Sequence, residues 1–341
     1  MKNLFIDSNI WLSLYHFTND DLTQFEKLKA LIGNDIRLFI PQQVYDEVKR
    51  NRESKLKEAL KLFEIKSIQY PVFCKEYDEY DQFNADYNKL LNRYKAWKQK
   101  INEDMQNQCL PADKTIDAFF QASGLYSCDS IIESAYTRYK VGNPPGKDNK
   151  YGDAINWECL ICAVPNDEDL YFISSDKDYR SEIMDDKFNP FLANEWRIKK
   201  NSNIHFYKNL VPFLNEHFKD IQLQTEQEKQ ELIEKLNSSP NFVSTHGIIA
   251  MMSKHNGWTE SQIEDICNAV NNNQVGWILG DDDVLDFYSR LLSKVRYDDL
   301  SDCATKDVMD SIFNISAERQ SQASEDAKAE AYEAQEEFYK H

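Results

Sequence analysis

The stretch that decides the fold is Asn3-Leu4-Phe5-Ile6-Asp7-Ser8-Asn9-Ile10-Trp11. An apolar run ends at a carboxylate, two small polar residues follow, and an apolar helical pattern then begins. This order predicts a buried strand, a sharp turn and a helix. It places Asp7 at the carboxyl end of a strand, which is where open α/β sheets bind their ligands.

Three further apolar runs are typical of buried strands. Residues 36–40 follow a helical pattern, so the first two strands form a βαβ unit and are predicted to be parallel. Residues 169–173 end in Ser174-Ser175-Asp176, which repeats the order seen around Asp7. Residues 204–207 are a short last strand. The pattern predicts an α/β fold with a central parallel sheet.

The two parts of the chain differ in charge. The 341 residues carry a formal net charge of -18. Residues 1–200 hold 33 acidic and 28 basic side chains, and residues 201–341 hold 25 and 12.

We predict the following domains: 1–207 as an α/β domain with a helical insertion at about 70–113, 208–239 as a helical linker, 240–316 as a small helical domain, and 317–341 as an exposed helix or a disordered tail.

Composition excludes several classes of protein. An acidic chain has no general electrostatic attraction for nucleic acid, so any contact with RNA or DNA must be local and assisted by a metal. The seven scattered cysteines do not suggest a disulfide framework. The chain begins with a strand rather than a signal peptide, and it has no apolar run long enough to cross a bilayer. We expect a soluble, cytoplasmic protein with no membrane partner.

Four acids stand where a sheet would gather them. Asp7 and Asp176 follow strands, while Glu47 and Asp153 lie near the starts of predicted helices. Clustered carboxylates repel one another unless a cation lies between them. Ligand sets made only of oxygen favour Mg²⁺ or Mn²⁺, and such ions activate water for attack on a phosphodiester. The pattern indicates a metal-dependent hydrolase.

These segments, in this order, resemble the PIN domain, a metal-dependent nuclease fold. The matching segments are Phe5-Ile6-Asp7-Ser8-Asn9, Val44-Tyr45-Asp46-Glu47-Val48, Gly152-Asp153-Ala154 and Ile173-Ser174-Ser175-Asp176-Lys177-Asp178. The whole chain resembles a large bacterial PIN-like group with a helical C-terminal extension. The resemblance implies a three-layer α/β/α sandwich, Mg²⁺ or Mn²⁺ as cofactor, and endonucleolytic cleavage of RNA by a metal-activated water, in a stress, toxin or defence response.

The resemblance also implies roles for individual residues. The catalytic, metal-binding acids would be Asp7, Glu47, Asp153 and Asp176, with Asp178 and Asp148 as further metal ligands. Ser8 would orient a metal-bound water. The phosphate-binding candidates are Arg50 and Asn51, which share the helix face of Glu47, and the loop cations Lys147, Lys150 and Lys177.

Alternatives remain open. One is a phosphatase-type hydrolase with Asp7 as the nucleophile. Such an enzyme of the haloacid-dehalogenase kind has a second Asp two residues after the nucleophile, where this chain has Asn9. A second is a catalytically silent PIN-like binding module in a multiprotein complex. DNA is not excluded as substrate, and residues 208–341 are expected to bind a protein partner or form a homodimer. The insertion is expected to be a solvated helical pair or a lid, with Leu90, Leu91, Tyr94, Trp97 and Ile101 as its packed side.

Overall fold

The computed structural model describes most of the chain. The described residues are 1–60, 63–65, 68–146, 151–184, 186–272, 274–293, 295, 304–319 and 321. Three candidates for the site, Lys147, Asp148 and Lys150, therefore lie outside the described residues. The chain divides into two compact units, Met1–Leu223 and Gln224–His341.

A parallel four-stranded sheet forms the centre of the first unit. Its strands are β1 (Lys2–Ile6), β2 (Ile36–Phe39), β3 (Leu170–Ile173) and β4 (Ile204–Tyr207), in the spatial order β2-β1-β3-β4. The successive residues Leu4, Phe5 and Ile6 are at most 1% exposed. Successive strand residues point to opposite faces, so both faces of β1 are covered. The predicted α/β fold with a central parallel sheet and a layer on each face is confirmed.

Nine helices are described in the first unit. They are α1 (Ser8–Ser13), α2 (Asn19–Lys29), α3 (Gln42–Leu60), α4 (Glu79–Gln106), α5 (Pro111–Ser123), α6 (Ile132–Lys140), α7 (Tyr151–Ala163), α8 (Pro190–Lys200) and α9 (Leu210–His217). Short polar side chains fix several of their starts. Asp7 accepts a hydrogen bond from the first amide of α1, and Asn189 accepts from two amides at the start of α8.

The first unit continues beyond the predicted domain end at residue 207. Helix α9 buries Leu210, Phe213 and Leu214 in the same core as the sheet, and Leu223 also belongs to that core. The predicted boundary was the end of the last strand, whereas the physical boundary follows the buried apolar side chains. The last strand is a weak guide here because the apolar helix α9, which follows it, packs into the same core.

The second unit has its own helical core. Its named helices are α10 (Gln224–Asn237), α11 (Phe242–Met252), α12 (Glu260–Asn272) and α13 (Asp282–Leu292), and residues 304–319 are also helical. Helix α10 lies in the segment predicted to be a linker, but it buries Leu232, Ile233 and Leu236 in this core. It is thus part of the helical domain. Nearly all of the predicted tail, 317–341, lies outside the described residues.

Two other predictions concern single helices. The insertion is helical as expected, but α4 has no buried residue, so its predicted packed side does not join a core. In the part of the chain that the structure describes, no helix combines the length and the apolar character needed to cross a membrane.

Candidate functional site

Asp7 is a buried carboxylate at the carboxyl edge of the sheet. Its side chain is 1% exposed, and its Oδ1 accepts a hydrogen bond from the Ser8 amide at 2.7 Å. Its Oδ2 accepts one from Ser174 Oγ at 2.5 Å. Burial raises the pKa of Asp7 to about 7, the Ser174 hydrogen bond opposes that shift, and the charges of Asp176 and Glu47 add to it.

The turn after β3 holds a second acid beside Asp7. Ser174 is the first residue after the strand, and its Oγ accepts a hydrogen bond from the Asp176 amide at 3.0 Å. Asp176 Oδ1 in turn accepts from the Asp178 amide at 2.9 Å. Asp178 lies in the short 3-10 turn Lys177–Tyr179, and its Oδ2 accepts from the Gly146 amide at 3.4 Å. One serine hydroxyl therefore links the ends of two neighbouring strands.

Glu47 and Asp153 come from two helices that approach closely at Gly152. The Gln43 side-chain amide donates to Glu47 Oε1 at 2.6 Å, one turn back on α3. A Cβ atom added at Gly152 would lie 2.0 Å from Glu47 Oε1 and 2.6 Å from Gln43 Nε2. Glycine costs helix stability, and here the lack of a Cβ leaves room for the Glu47 carboxylate beside the first turn of α7.

Tyr179 lies close enough to all four acids to be affected by their charges. Its phenol is fully buried, and burial raises its pKa well above the usual value. The charges of Asp153, Asp7, Asp176 and Glu47 each raise it further. The Tyr179 hydroxyl also donates to the backbone oxygen of Asp153 at 3.4 Å. The structure thus brings together four acids that come from separate parts of the sequence.

The remaining candidates lie around this centre. Arg50 and Asn51 are exposed on α3, three and four residues after Glu47, so they share its face. Lys177 is half-buried at the start of the 3-10 turn. Ser8 contributes its backbone amide to Asp7, and its side chain is half-buried.

The donor set suits a hard divalent cation, although the side chains are not at ligand distance. Within the described residues, no three Asp, Glu, His or Cys side chains stand close enough to hold an ion. Only Asp7 of the four acids is buried, and Glu47, Asp153 and Asp176 are half-buried. The raised pKa of Asp7 shows that its negative charge is poorly compensated, which a cation would correct.

An uncompensated amide lies near the same place. Asn156 is fully buried on α7, three residues after Asp153, so the two side chains share a helix face. Within the described part of the chain, neither its Oδ1 nor its Nδ2 has a hydrogen-bond partner. A buried amide left without partners is costly, and an ion or its bound water would satisfy it.

Sequence reasoning did not single out Gln43, Gly152, Asn156, Ser174 or Tyr179 as site residues. Ser174 carried a signal, because it stands between a strand and an acid in the repeated order. Gly152 carried one too, since a glycine in a helix's first turn often marks a close approach. Tyr179 carried none, because its role depends on tertiary contacts with four distant residues.

Comparison with known proteins gives one match. A protein-family model described as "PIN domain" matches residues 4–179, just over half of the chain. The matched range contains all four acids and the 3-10 turn that ends at Tyr179. No curated protein and no solved structure matches the chain.

Proposed function

The chain belongs to the PIN domain family, and from that premise we propose that it is a divalent-metal-dependent endoribonuclease. Membership of the family supports a nuclease-type fold. The dependence on a metal and the choice of RNA as substrate are our proposal. The observation that carries it is the fully buried Tyr179 hydroxyl, whose pKa is raised first by burial and then further by the charges of all four acids. Four carboxylates that lie near one another repel and destabilise the folded state unless they bind a cation.

Asp7, Glu47, Asp153 and Asp176 would hold Mg²⁺ or Mn²⁺. When bound, such an ion lowers the pKa of a water and stabilises the attacking and leaving oxygens of a phosphodiester. Ser174 and the Ser8 amide fix the orientation of Asp7 through its two oxygens. Gln43 fixes Glu47 in the same way. Glu47, Asp153 and Asp176 are half-buried, so an ion could reach them from solvent.

The cations and amides around the acids would bind the RNA backbone. Arg50 and Asn51 lie exposed on the same face of α3 as Glu47, where a phosphate could approach from solvent. Lys177 stands beside Asp176, and Lys147 and Lys150 precede Asp153 in the sequence. Such contacts position a phosphate without reading the base sequence.

The direct test is cleavage of end-labelled RNA by the purified full chain. We expect cleavage with Mg²⁺ or Mn²⁺, loss with EDTA, and loss in Asp7→Asn. A labelled DNA of the same sequence, assayed in parallel, decides whether the 2′-hydroxyl matters. Equal cleavage in every reaction would indicate contamination, and no cleavage in any would favour the silent binding module. A phosphate trapped on Asp7 would instead support the phosphatase.

Gly152→Ala is expected to lower cleavage by about tenfold to a hundredfold, because the new methyl group displaces Glu47 and ångström-scale misplacement costs that much. The fold should survive, since the clash falls on the flexible end of a side chain. Gly247→Ala is the matched control, because Gly247 is also in a helix and an added Cβ there meets nothing within 4 Å. The control should keep full activity. Equal activity of both variants would contradict the placement of Glu47.

A further inference from the structure

Helix α4 carries a heptad repeat of apolar side chains. It is 28 residues long, and none of its side chains is buried. Apolar and aromatic residues recur at alternating intervals of three and four over three heptads. They are Tyr80, Phe83, Tyr87, Leu90, Tyr94, Trp97 and Ile101. This spacing is the a and d pattern of a two-stranded coiled coil, with Tyr80 at position a.

Two aromatic side chains that precede α4 in the sequence cover one edge of this stripe. The Phe63 ring lies 5.1 Å from the Tyr94 ring and 4.6 Å from the Trp97 ring, and the Tyr94 hydroxyl donates to the Phe63 carbonyl at 2.6 Å. The Tyr70 ring lies 5.3 Å from that of Tyr80. These contacts leave the a positions half-buried and do not enclose the d positions.

The d positions face solvent. Phe83, Leu90 and Trp97 are 53%, 55% and 59% exposed, and they lie along one line of the helix. Phe73 and Tyr77, just before α4, are each 65% exposed. Monomeric proteins rarely expose apolar side chains in a continuous row, so such a row indicates a docking surface.

Charge divides the stretch from Asp78 to Lys100 into two segments of opposite sign, and two further acids, Glu103 and Asp104, follow near the end of α4. Residues 78–88 contain four acids and no base, and residues 89–100 contain five bases and no acid. The acids are Asp78, Glu79, Asp81 and Asp86, and the bases are Lys89, Arg93, Lys95, Lys98 and Lys100. A partner helix that matches this surface must place a basic segment beside residues 78–88 and an acidic segment beside residues 89–100.

We propose that α4 pairs in antiparallel orientation with α4 of a second copy of this chain, forming a homodimer. Two-fold antiparallel pairing places the acidic segment of each helix against the basic segment of the other. The same surface then serves both copies, as closed two-fold symmetry requires. A parallel pair would instead bring Arg93 towards the partner's Lys98, which is repulsive.

One register satisfies both the apolar stripe and the charges. With a positions facing d positions, Tyr80 packs against the partner's Trp97, Phe83 against the partner's Tyr94, and Tyr87 against the partner's Leu90. Every exposed d side chain then meets an a side chain of the other copy. At the flanking g positions, Glu79 faces the partner's Lys100 and Asp86 faces the partner's Arg93, each twice by symmetry.

Single-stranded RNA fits this surface less well. The five Lys and Arg side chains near Trp97 resemble the basic, aromatic surfaces on which the bases of single-stranded nucleic acid stack. The apolar row, however, continues through Tyr80 and Phe83 into the acidic segment, which would repel phosphate. The heptad spacing also has no purpose in base stacking. RNA binding at α4 is therefore an outcome that the test must be able to reveal.

The test is sedimentation of the full chain over a range of concentrations. We expect a dimer whose dissociation constant rises by about a hundredfold or more in Leu90→Glu, because two charges enter the apolar stripe. Asn92→Glu adds the same charge to the same helix on its outer face and should leave the dimer unchanged. Circular dichroism confirms that both variants are folded.

Charge exchange tests the orientation. Asp86→Lys and Arg93→Glu should each weaken the homodimer by about tenfold, since each loses two exposed ion pairs and gains two repulsions. Mixing the two variants should restore a heterodimer, and the double variant should again form a homodimer. A monomeric wild-type chain, or a dimer indifferent to Leu90→Glu, would overturn the proposal. So would a monomer whose RNA binding is lost in Trp97→Ala.

Discussion

The Asp7→Asn protein is expected to lose metal-dependent RNA cleavage and, with metal withheld, to be more stable than the wild type. The loss should be at least about a thousandfold, because a bound ion supplies several kcal/mol of charge stabilisation and 1.4 kcal/mol is a factor of ten. An inactive variant that is also more stable separates a functional acid from a structural one.

The stability gain follows from the raised pKa of Asp7. The pKa is about 7 in the folded protein against an ordinary 3.8, with burial as the main cause. Between these values the folded state holds a proton that the unfolded state has released, so stability falls as pH rises from about 4 to 7. Above pH 7 the charged carboxylate costs up to about 4 kcal/mol, at 1.4 kcal/mol per pKa unit.

Asparagine removes this charge and can keep both hydrogen bonds. Its Oδ1 can accept from the Ser8 amide, and its Nδ2 can donate to Ser174 Oγ. Urea unfolding in EDTA should therefore show equal stability near pH 4 and a gain for the variant that grows towards pH 8. Asp35→Asn, at an exposed acid before β2, is the control and should show no such trend. Destabilisation of Asp7→Asn above pH 7 would contradict the argument.

Arg138→Met is expected to have the largest effect on folding, a loss of about 3–5 kcal/mol, because it takes the cation from Glu158 and one of two cations from Glu195 in a largely buried place. Arg138 is 5% exposed. Its Nε donates to Glu158 Oε1 at 2.7 Å, its Nη2 to Glu195 Oε1 at 2.5 Å, and its Nη1 to the Pro144 carbonyl at 2.7 Å. One guanidinium therefore joins α6 to α7, α8 and the segment before the site.

The stability that Arg138→Met loses is expected to depend on pH. Burial by itself raises the pKa of Glu195, but hydrogen bonds from Arg138, Trp157 and Lys199 lower it below its ordinary value of 4.5. A depressed carboxyl pKa stabilises the fold above its unfolded value, and that stability is lost as pH falls. The deficit of Arg138→Met should therefore be large at neutral pH and should shrink in acid.

Urea unfolding measures this effect, with Arg197→Met as the control. Arg197 is an exposed arginine on α8, and its replacement should change stability by less than about 0.5 kcal/mol. The triple variant with Glu158→Met and Glu195→Met should recover most of the loss, because no buried charge is then left unpaired. A single variant as stable as the wild type would show that the Arg138 network does not hold the three helices together.

The strands and the acids could be predicted because their signals are local. Asp7 and Asp176 each follow an apolar run, and the rule for parallel crossovers then puts both at one edge of the sheet. The hydrogen bond from Ser174 to Asp7 could not be predicted in the same way. It depends on the register of β1 against β3, in which the Asp7 amide donates to the Ile173 carbonyl at 2.9 Å.

The helical insertion shows what the sequence alone does not predict, namely whether an apolar stripe is covered in the fold. Its periodicity correctly predicted a helix with an apolar stripe that includes Leu90 and Trp97. Whether such a stripe is covered depends on the rest of the fold, and both side chains are more than half exposed. The expectation that residues 208–341 bind a partner rests on their acidity alone and stays a prediction.

Binding of Mn²⁺ followed by electron paramagnetic resonance tests the central claim most directly, because free aqueous Mn²⁺ gives a signal that bound Mn²⁺ loses. The wild-type chain should reduce the free signal at stoichiometric protein, while Asp7→Asn and Glu47→Gln should not, and Asp35→Asn should match the wild type. If the wild type leaves the free signal unchanged, or if Asp7→Asn binds as well as the wild type, the four carboxylates do not form a metal site.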